Sequence, residues 1–462
     1  MSEQNYAFDD IGDLDAFSLA MATSLVVCLQ DIVDACGSFP REIRKFHPVK
    51  LASTFGGLLT QRSLQSNCLR LETLAHLSIA LGEGSRAATP DVLIRGFVSV
   101  GSVCGHLEDP PEDVFVGNIG SERGNYLVLE GLWESGVFCL QQFVNIVDEF
   151  PDEPHLRRIA NSIHALLKLS DLVCRRAGLT RNERGSETRT KVLPKRLAQS
   201  SSELRGLVQF TFDDLKHAGI DLDDIAPFVF DAPQRSELLA QSVGHTELER
   251  RPIALAEGHL FLVLPTAVSA AIRRFYIRLL GSGGNRHILL RLLGRGYSRL
   301  FERTPMLGRS GGAIPFSHAH WGSVCGVSTQ VDEGRYLNLV FILDTLDDFA
   351  EDGLMGMFAG SPVLEDKIAG IVESMQDACA AREGFRDGVT LIVICGVGRG
   401  ATLSFSIQRR EHWEVEHLNA ADFYTLSWAS EMRPLQLWRL FRMRQQLLGM
   451  NARLKNVNGL LN

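Results

Sequence analysis

The period at which apolar side chains recur changes along this chain, and that change restricts its fold more than any single motif. Up to about residue 180 they return every three or four positions, the spacing of one helix face. Leu64, Cys68, Leu71, Ala75 and Ile79 form such a stripe, which Gly82 and Gly84 end. Thr89, Pro90 and Asp91 then supply an N-cap, a proline at the first helical position and an acid in the first turn, so another helix begins there. Ala16 to Ala35 predicts a helix ended by Gly37 and Pro40; Tyr126 to Phe150 and Glu153 to Arg176 predict two longer ones parted by Pro151 and Asp152. This spacing predicts an all-α domain over residues 1–180, with no strand in it.

Residues 181–206 are polar and basic, carrying Arg181, Arg184, Arg189, Lys191, Lys195 and Arg196 and ending in Ser200 to Ser202, and they read as a linker. Thr211 and Asp214 then form a capping-box pattern. From Pro252 onward strand-like alternation appears. Pro252 to Ala256 and His259 to Leu264 flank Glu257-Gly258 as a hairpin, and Val324 to Val331 and Tyr336 to Leu343 flank Asp332-Glu333-Gly334 as a second. Val389 to Cys395 and Thr402 to Ile407 read as a third pair of strands, and Trp413 to His417 as an edge strand. Helices are predicted from Pro265, over Asn285 to Arg303, over Leu364 to Arg382, and from Asn419 to Leu448 with a break near Pro434. The expected fold class is α+β: an all-α N-terminal domain followed by a mixed, largely antiparallel α+β domain over residues 207–462.

The composition, 45% hydrophobic and 22% charged, excludes disordered, fibrous and disulfide-scaffold classes, and 462 residues allow two or three domains. Nine scattered cysteines, none spaced as CxxC, suit a reducing compartment and no structural zinc site of the usual spacing. Acids (Glu3, Asp9, Asp10, Asp13, Asp15) stand where a signal peptide needs basic residues, and Ala16 to Leu29 is too short to span a bilayer. A cytoplasmic protein without a membrane partner is expected. The chain stops at Asn456-Val457-Asn458-Gly459-Leu460-Leu461-Asn462. Either that apolar end tucks into the core, or the chain is the front part of a longer architecture.

A net charge of −8 argues against a uniformly basic nucleic-acid coat, yet the segment 265–310 holds nine arginines against one acid, Glu302. In a helix Arg291, Arg295, Arg299 and Arg303 lie along one face, with Arg286 about one turn earlier. Like charges so placed repel one another and call for carboxylates or an external polyanion such as nucleic acid, which guanidinium forks suit. The loop Gly396-Val397-Gly398-Arg399-Gly400-Ala401 fits GxGxxA formally, but the strand-like Thr402 to Ile407 makes it a hairpin turn, with Arg399 an added anion contact. Asp344, Asp347 and Asp348 follow a strand, where carboxylates hold magnesium in phosphodiester chemistry and where a helix start also favours acids. His318 and His320, with Cys325, have the HxH form of a zinc site but no third ligand at characteristic spacing.

These features support a non-catalytic bacterial interaction or regulatory protein, its arginine face presented to nucleic acid or another polyanion and its helical domain to a protein partner. No cofactor is evident on that reading. The alternatives are a metal-dependent phosphodiester hydrolase using Asp344, Asp347 and Asp348 with magnesium, and a purely structural subunit of a larger assembly.

Overall fold

The structure is a computed structural model and describes residues 28–104, 115–131, 154–181, 199–281 (except 243 and 245), 314–317, 324–342, 362–394, 410–419 and 433–449, with single positions between them. The chain divides into two compact units. The first comprises Met1–Leu132, Pro151–Phe275 and Gly353–Met355; the second comprises Trp133–Phe150, Tyr276–Asp352 and Gly356–Asn462.

The first unit is built mainly from helices: α1 (Leu29–Ala35), α2 (Phe39–Ile43), α3 (Pro48–Leu59), α4 (Cys68–Leu81), α5 (Pro90–Cys104), α6 (Pro154–Arg176), α7 (Ser201–Val208), α8 (Phe212–His217), α9 (Leu222–Ile225), α10 (Glu247–Arg250) and the start of α11 (Val268–Gly281). Helix α4 is its axis. Beyond the expected stripe, its Arg70, Glu72, Thr73, His76 and Ser78 are buried too, so neighbours cover it on every side. Helix α3 comes close to the backbone around it through Gly56-Gly57: a Cβ on Gly57 would lie 2.1 Å from the Leu204 carbonyl oxygen, and one on Gly56 2.7 Å from that of Val263. No side chain larger than hydrogen fits there.

The helical majority of this region stands, but the expectation of no strand does not. Strands β1 (Val116–Ser121) and β2 (Gly124–Leu129) form an antiparallel hairpin, pairing Val116 with Leu129 and Ser121 with Gly124. The segment Tyr126 to Leu129, read as the start of a long helix, is its second strand. A short apolar run does not reveal its period, and the turn signal lay just before it, in Glu122-Arg123-Gly124, where Gly124 has φ 147°. Helix α6 lies on this hairpin, its Asp171 carboxylate accepting the Leu127 N–H at 3.0 Å.

Residues on both sides of 181–206 belong to this same unit. The Arg176 guanidinium donates to the Gln209 carbonyl and stacks 4.3 Å from the Phe210 ring centre. Strands β3 (Gln209–Phe210), β4 (Ile253–Ala256) and β5 (His259–Leu262) form a small antiparallel sheet in the order β3-β5-β4. The β4–β5 turn is the predicted one: Glu257 (φ 50°) and Gly258 (φ 74°) both take the left-handed conformation that a two-residue hairpin loop needs.

The second unit holds a five-stranded mixed sheet of β6 (Ile314–Ser317), β7 (Val324–Asp332), β8 (Arg335–Ile342), β9 (Asp387–Ile394) and β10 (Trp413–Asn419), in the order β10-β9-β8-β7-β6. Strands β6, β7 and β8 are successively antiparallel, while β8, β9 and β10 run parallel. Helix α12 (Pro362–Ala380) makes the crossover from β8 to β9, as a parallel pair requires. It covers the face bearing Asn338 and Thr390, and α13 (Pro434–Gly449) covers the opposite face, with Trp438 under the Arg335 guanidinium. Tyr336 to Ile342 are all buried, as a strand covered on both faces must be.

Here one expectation is corrected. β9 pairs along its length with β8 on one side and with β10 on the other, so no edge of it is left for the strand expected at Thr402 to Ile407. β9 thus has no free side for the third hairpin, whose second strand, Thr402 to Ser406, lies outside the described residues. Trp413 to His417 is an edge strand, as expected, but it is parallel to its neighbour.

Candidate functional site

The register of the mixed sheet brings five strand ends to one edge. Ser317, the end of β6, is opposite Cys325 near the start of β7; Val324 is opposite Ile342, the end of β8. Ile342 is in turn opposite Ile394, the end of β9, and Ile394 opposite Asn419, the end of β10. Carboxyl ends of parallel strands are where open sheets offer unpaired backbone groups and loops to ligands. In sequence, Ser317 is followed by His318 and His320, Ile342 by Asp344, Asp347 and Asp348, and Ile394 by the glycine loop with Arg399. Three features that are far apart in the chain thus all begin at this edge.

The predicted side chains themselves are another matter. Arg286, Arg291, Arg295, Arg299, Arg303 and Arg399, Asp344, Asp347 and Asp348, His318 and His320, and the terminal segment from Asn456 to Asn462 all lie outside the described residues. Cys325 is described only as backbone of β7. Among the described residues no group of three or more His, Cys, Asp and Glu is arranged to hold a metal. Two of the nine arginines of segment 265–310, Arg273 and Arg274, are buried inside the first unit and so do not belong to an outward basic face.

Arg274 is part of a buried ionisable cluster that sequence reasoning missed. The Glu249 carboxylate accepts from the Gly244 N–H (3.0 Å), the Thr246 N–H (3.0 Å) and the Arg274 guanidinium (3.2 Å). Arg274 also donates to the Gly244 carbonyl. Thr246 caps α10, its Oγ1 accepting the Glu249 N–H at 3.1 Å, and lies 2.6 Å from His76 Nε2. The other ring nitrogen, Nδ1, is 2.6 Å from the Glu72 carbonyl oxygen. A carbonyl only accepts, so Nδ1 carries the proton and Nε2 accepts from the Thr246 hydroxyl. One residue type thus satisfies the next through helices α4, α10 and α11.

Burial pushes the His76 pKa below its ordinary 6.5 despite the opposing pull of the nearby Glu249. The ring is neutral at pH 7, and its 3.7 Å approach to Glu249 Oε1 is a polar contact rather than an ion pair. The Glu72 carboxylate accepts from the Thr266 hydroxyl at the start of the α11 segment. Every one of these side chains is at most 8% exposed, so the cluster has no access for a substrate and its chemistry is structural. Its one sequence signal was Thr246-x-x-Glu249, a capping box; the partners from α4 and α11 carry no local mark.

Four arginines of the second unit, Arg335, Arg386, Arg410 and Arg442, are paired with carboxylates. Arg335 pairs with Asp332 and Asp387, Arg442 with Glu414 and Asp387, Arg410 with Asp377 and Glu373, and Arg386 with Glu333. These pairs lie at the amino ends of β8, β9 and β10, opposite the edge described above.

The family described as anti-phage protein Upx-like matches residues 19–462, nearly the whole chain. The chain belongs to that family. It is therefore a bacterial defence-related protein, phages being viruses of bacteria. No curated protein and no solved structure matches the Upx-like chain. Among its described residues no helix is long and apolar enough to cross a membrane.

Proposed function

We propose that this Upx-like protein acts in the bacterial cytoplasm by binding nucleic acid at the carboxyl edge of its mixed sheet, with arginines engaging the phosphates. The observation that carries this reading is the pairing of β9 on both sides. A glycine-rich segment after a doubly paired parallel strand is not needed to close a hairpin on that strand. On this reading its backbone N–H groups contact a phosphate, with Arg399 as a charged donor. Arg286, Arg291, Arg295, Arg299 and Arg303 fall in the residue ranges of the same unit as this sheet.

The test is binding of the whole protein to single- and double-stranded DNA and RNA across a salt series. The logarithm of affinity should fall linearly with the logarithm of salt, with a slope of about one unit per phosphate contact. Arg399→Ala and the double variant R291E/R295E should weaken binding while leaving the fold unchanged by circular dichroism. No binding at low salt, or binding indifferent to all three changes, overturns the reading.

A second reading is favoured by the direct apposition of Ile342 and Ile394, which starts the acidic segment beside the glycine loop. On this reading Asp344, Asp347 and Asp348 would hold magnesium, and the protein would cleave what it binds. Magnesium-dependent loss of intact substrate, abolished in Asp344→Asn with binding retained, supports it. Tight binding without products under those conditions leaves the non-catalytic reading.

A further inference from the structure

The face of the mixed sheet beneath α12 carries a polar row inside the core. Ser328, Asn338 and Thr390 stand opposite one another on β7, β8 and β9, and all three are fully buried. Gln376 and Cys379, three residues apart on α12 and hence on one helix face, look down on them. Both are 1% exposed. The Gln376 Nε2 donates to Thr390 Oγ1 at 3.3 Å, and the Cys379 thiol donates to Asn338 Oδ1 at 3.5 Å. The Ser328 hydroxyl also donates to Asn338 Oδ1. Burial pushes the Cys379 thiol pKa above its ordinary value, so the sulfur keeps the proton it donates.

Two groups are left over. Asn338 Nδ2 and Gln376 Oε1 are buried and have no hydrogen-bond partner. One is a donor and the other an acceptor, and they belong to side chains held on neighbouring positions of the sheet–helix interface. The Ser328 hydroxyl and the Cys379 thiol both donate to Asn338 Oδ1, and Gln376 Nε2 donates to Thr390 Oγ1, so in this orientation the leftover pair is one donor and one acceptor. A group that completes this interface must therefore both donate and accept, and must be small enough for a closed core.

From these contacts we infer that a single buried water molecule bridges Asn338 and Gln376 between β8 and α12. It accepts from Asn338 Nδ2 and donates to Gln376 Oε1, the two-partner minimum for an internal water. It would be a structural constituent of the second unit, making α12 adhere to the sheet through hydrogen bonds rather than apolar packing alone.

The experiment is a crystal structure of the whole protein at a resolution that shows ordered water, for the native chain and for Gln376→Met. The native crystals should show one well-ordered density within 2.7–3.2 Å of both amide groups, the ordinary range for such bonds. In Gln376→Met that density should be lost, while the Cys379 to Asn338 contact remains. Direct bonding of the two amides in the native crystals, or a dry interface, overturns the inference. Should Gln376→Met fail to fold, water-to-amide magnetisation transfer to the Asn338 side chain of the labelled native protein gives the second readout. A long-lived water signal there supports the site, and its absence overturns it.

Discussion

The two units solve the same problem, polar groups inside a core, with different chemistry. The first buries charge: Glu249 and Arg274 face each other with His76, Thr246 and backbone groups around them. The second buries a neutral row, Ser328, Asn338 and Thr390 under Gln376 and Cys379, and keeps ion pairs such as Arg335 with Asp387 and Arg442 with Glu414 around the sheet's other end. A buried charge missing its partner is far more costly than a buried amide missing one, so the first unit should be brittle towards single substitutions and the second tolerant.

The largest expected effect follows from that. Arg274→Met leaves the buried Glu249 carboxyl without its guanidinium and should cost about 3–5 kcal/mol, the range for breaking a buried pair. Hydrogen exchange should show protection falling across residues 68–81 and 247–275 and hardly at all across 335–342 and 387–394. Equal losses in both sets would break the comparison. Replacing both partners, as E249L/R274M, should recover part of the loss, because no lone charge remains.

Next comes Gly57→Ala, whose new methyl would meet the Leu204 carbonyl at 2.1 Å. Displacing α3 from α7 by overpacking should cost about 1–3 kcal/mol, read as a lower denaturation midpoint with unchanged slope. Asn338→Ala in the second unit should cost about 1–3 kcal/mol through unsatisfied neighbours. That loss should stay below the Arg274→Met loss, and the reverse order would invert the comparison.

The pH dependence separates the units more finely. His76 has a lowered pKa in the folded protein and about 6.5 when unfolded, so below pH 6.5 the unfolded chain binds the extra proton. Stability of the first unit should therefore fall as pH drops from 7 towards 5, by at most about 1.4 kcal/mol per pH unit from this group. His76→Gln should flatten that slope; a slope equally steep in the variant would mean other groups produce it. Smallest is Thr211→Ala, which removes the hydroxyl that accepts the Asp214 N–H and should lower stability by about 1 kcal/mol in a thermal melt.

The sheet edge shows what was legible and what was not. The acidic run, the glycine loop and the His318-Ala319-His320 segment are each visible in the sequence, and each could be read only by itself. Alternation after the loop predicts a hairpin turn, and only the register shows that β9 already has β8 and β10 on its two sides. The same limit hid the buried cluster: His76 and Thr246 are 170 residues apart, and Glu72 and Thr266 are 194 apart.

Local chemistry sufficed where the forces are local. Capping boxes at Thr211 and Thr246, the helix start at Pro90, its predecessor's end at Gly82, and the left-handed turns at Gly258 and Gly334 follow from neighbours a few residues away. The sequence by itself thereby determined the α+β class and most of its elements. Tertiary structure alone decided that Tyr126 to Leu129 is a strand, that β10 joins β9 in parallel, and which buried charge meets which. Those outcomes depend on long-range pairing and desolvation, and the energy of both resides in partners that no local pattern names.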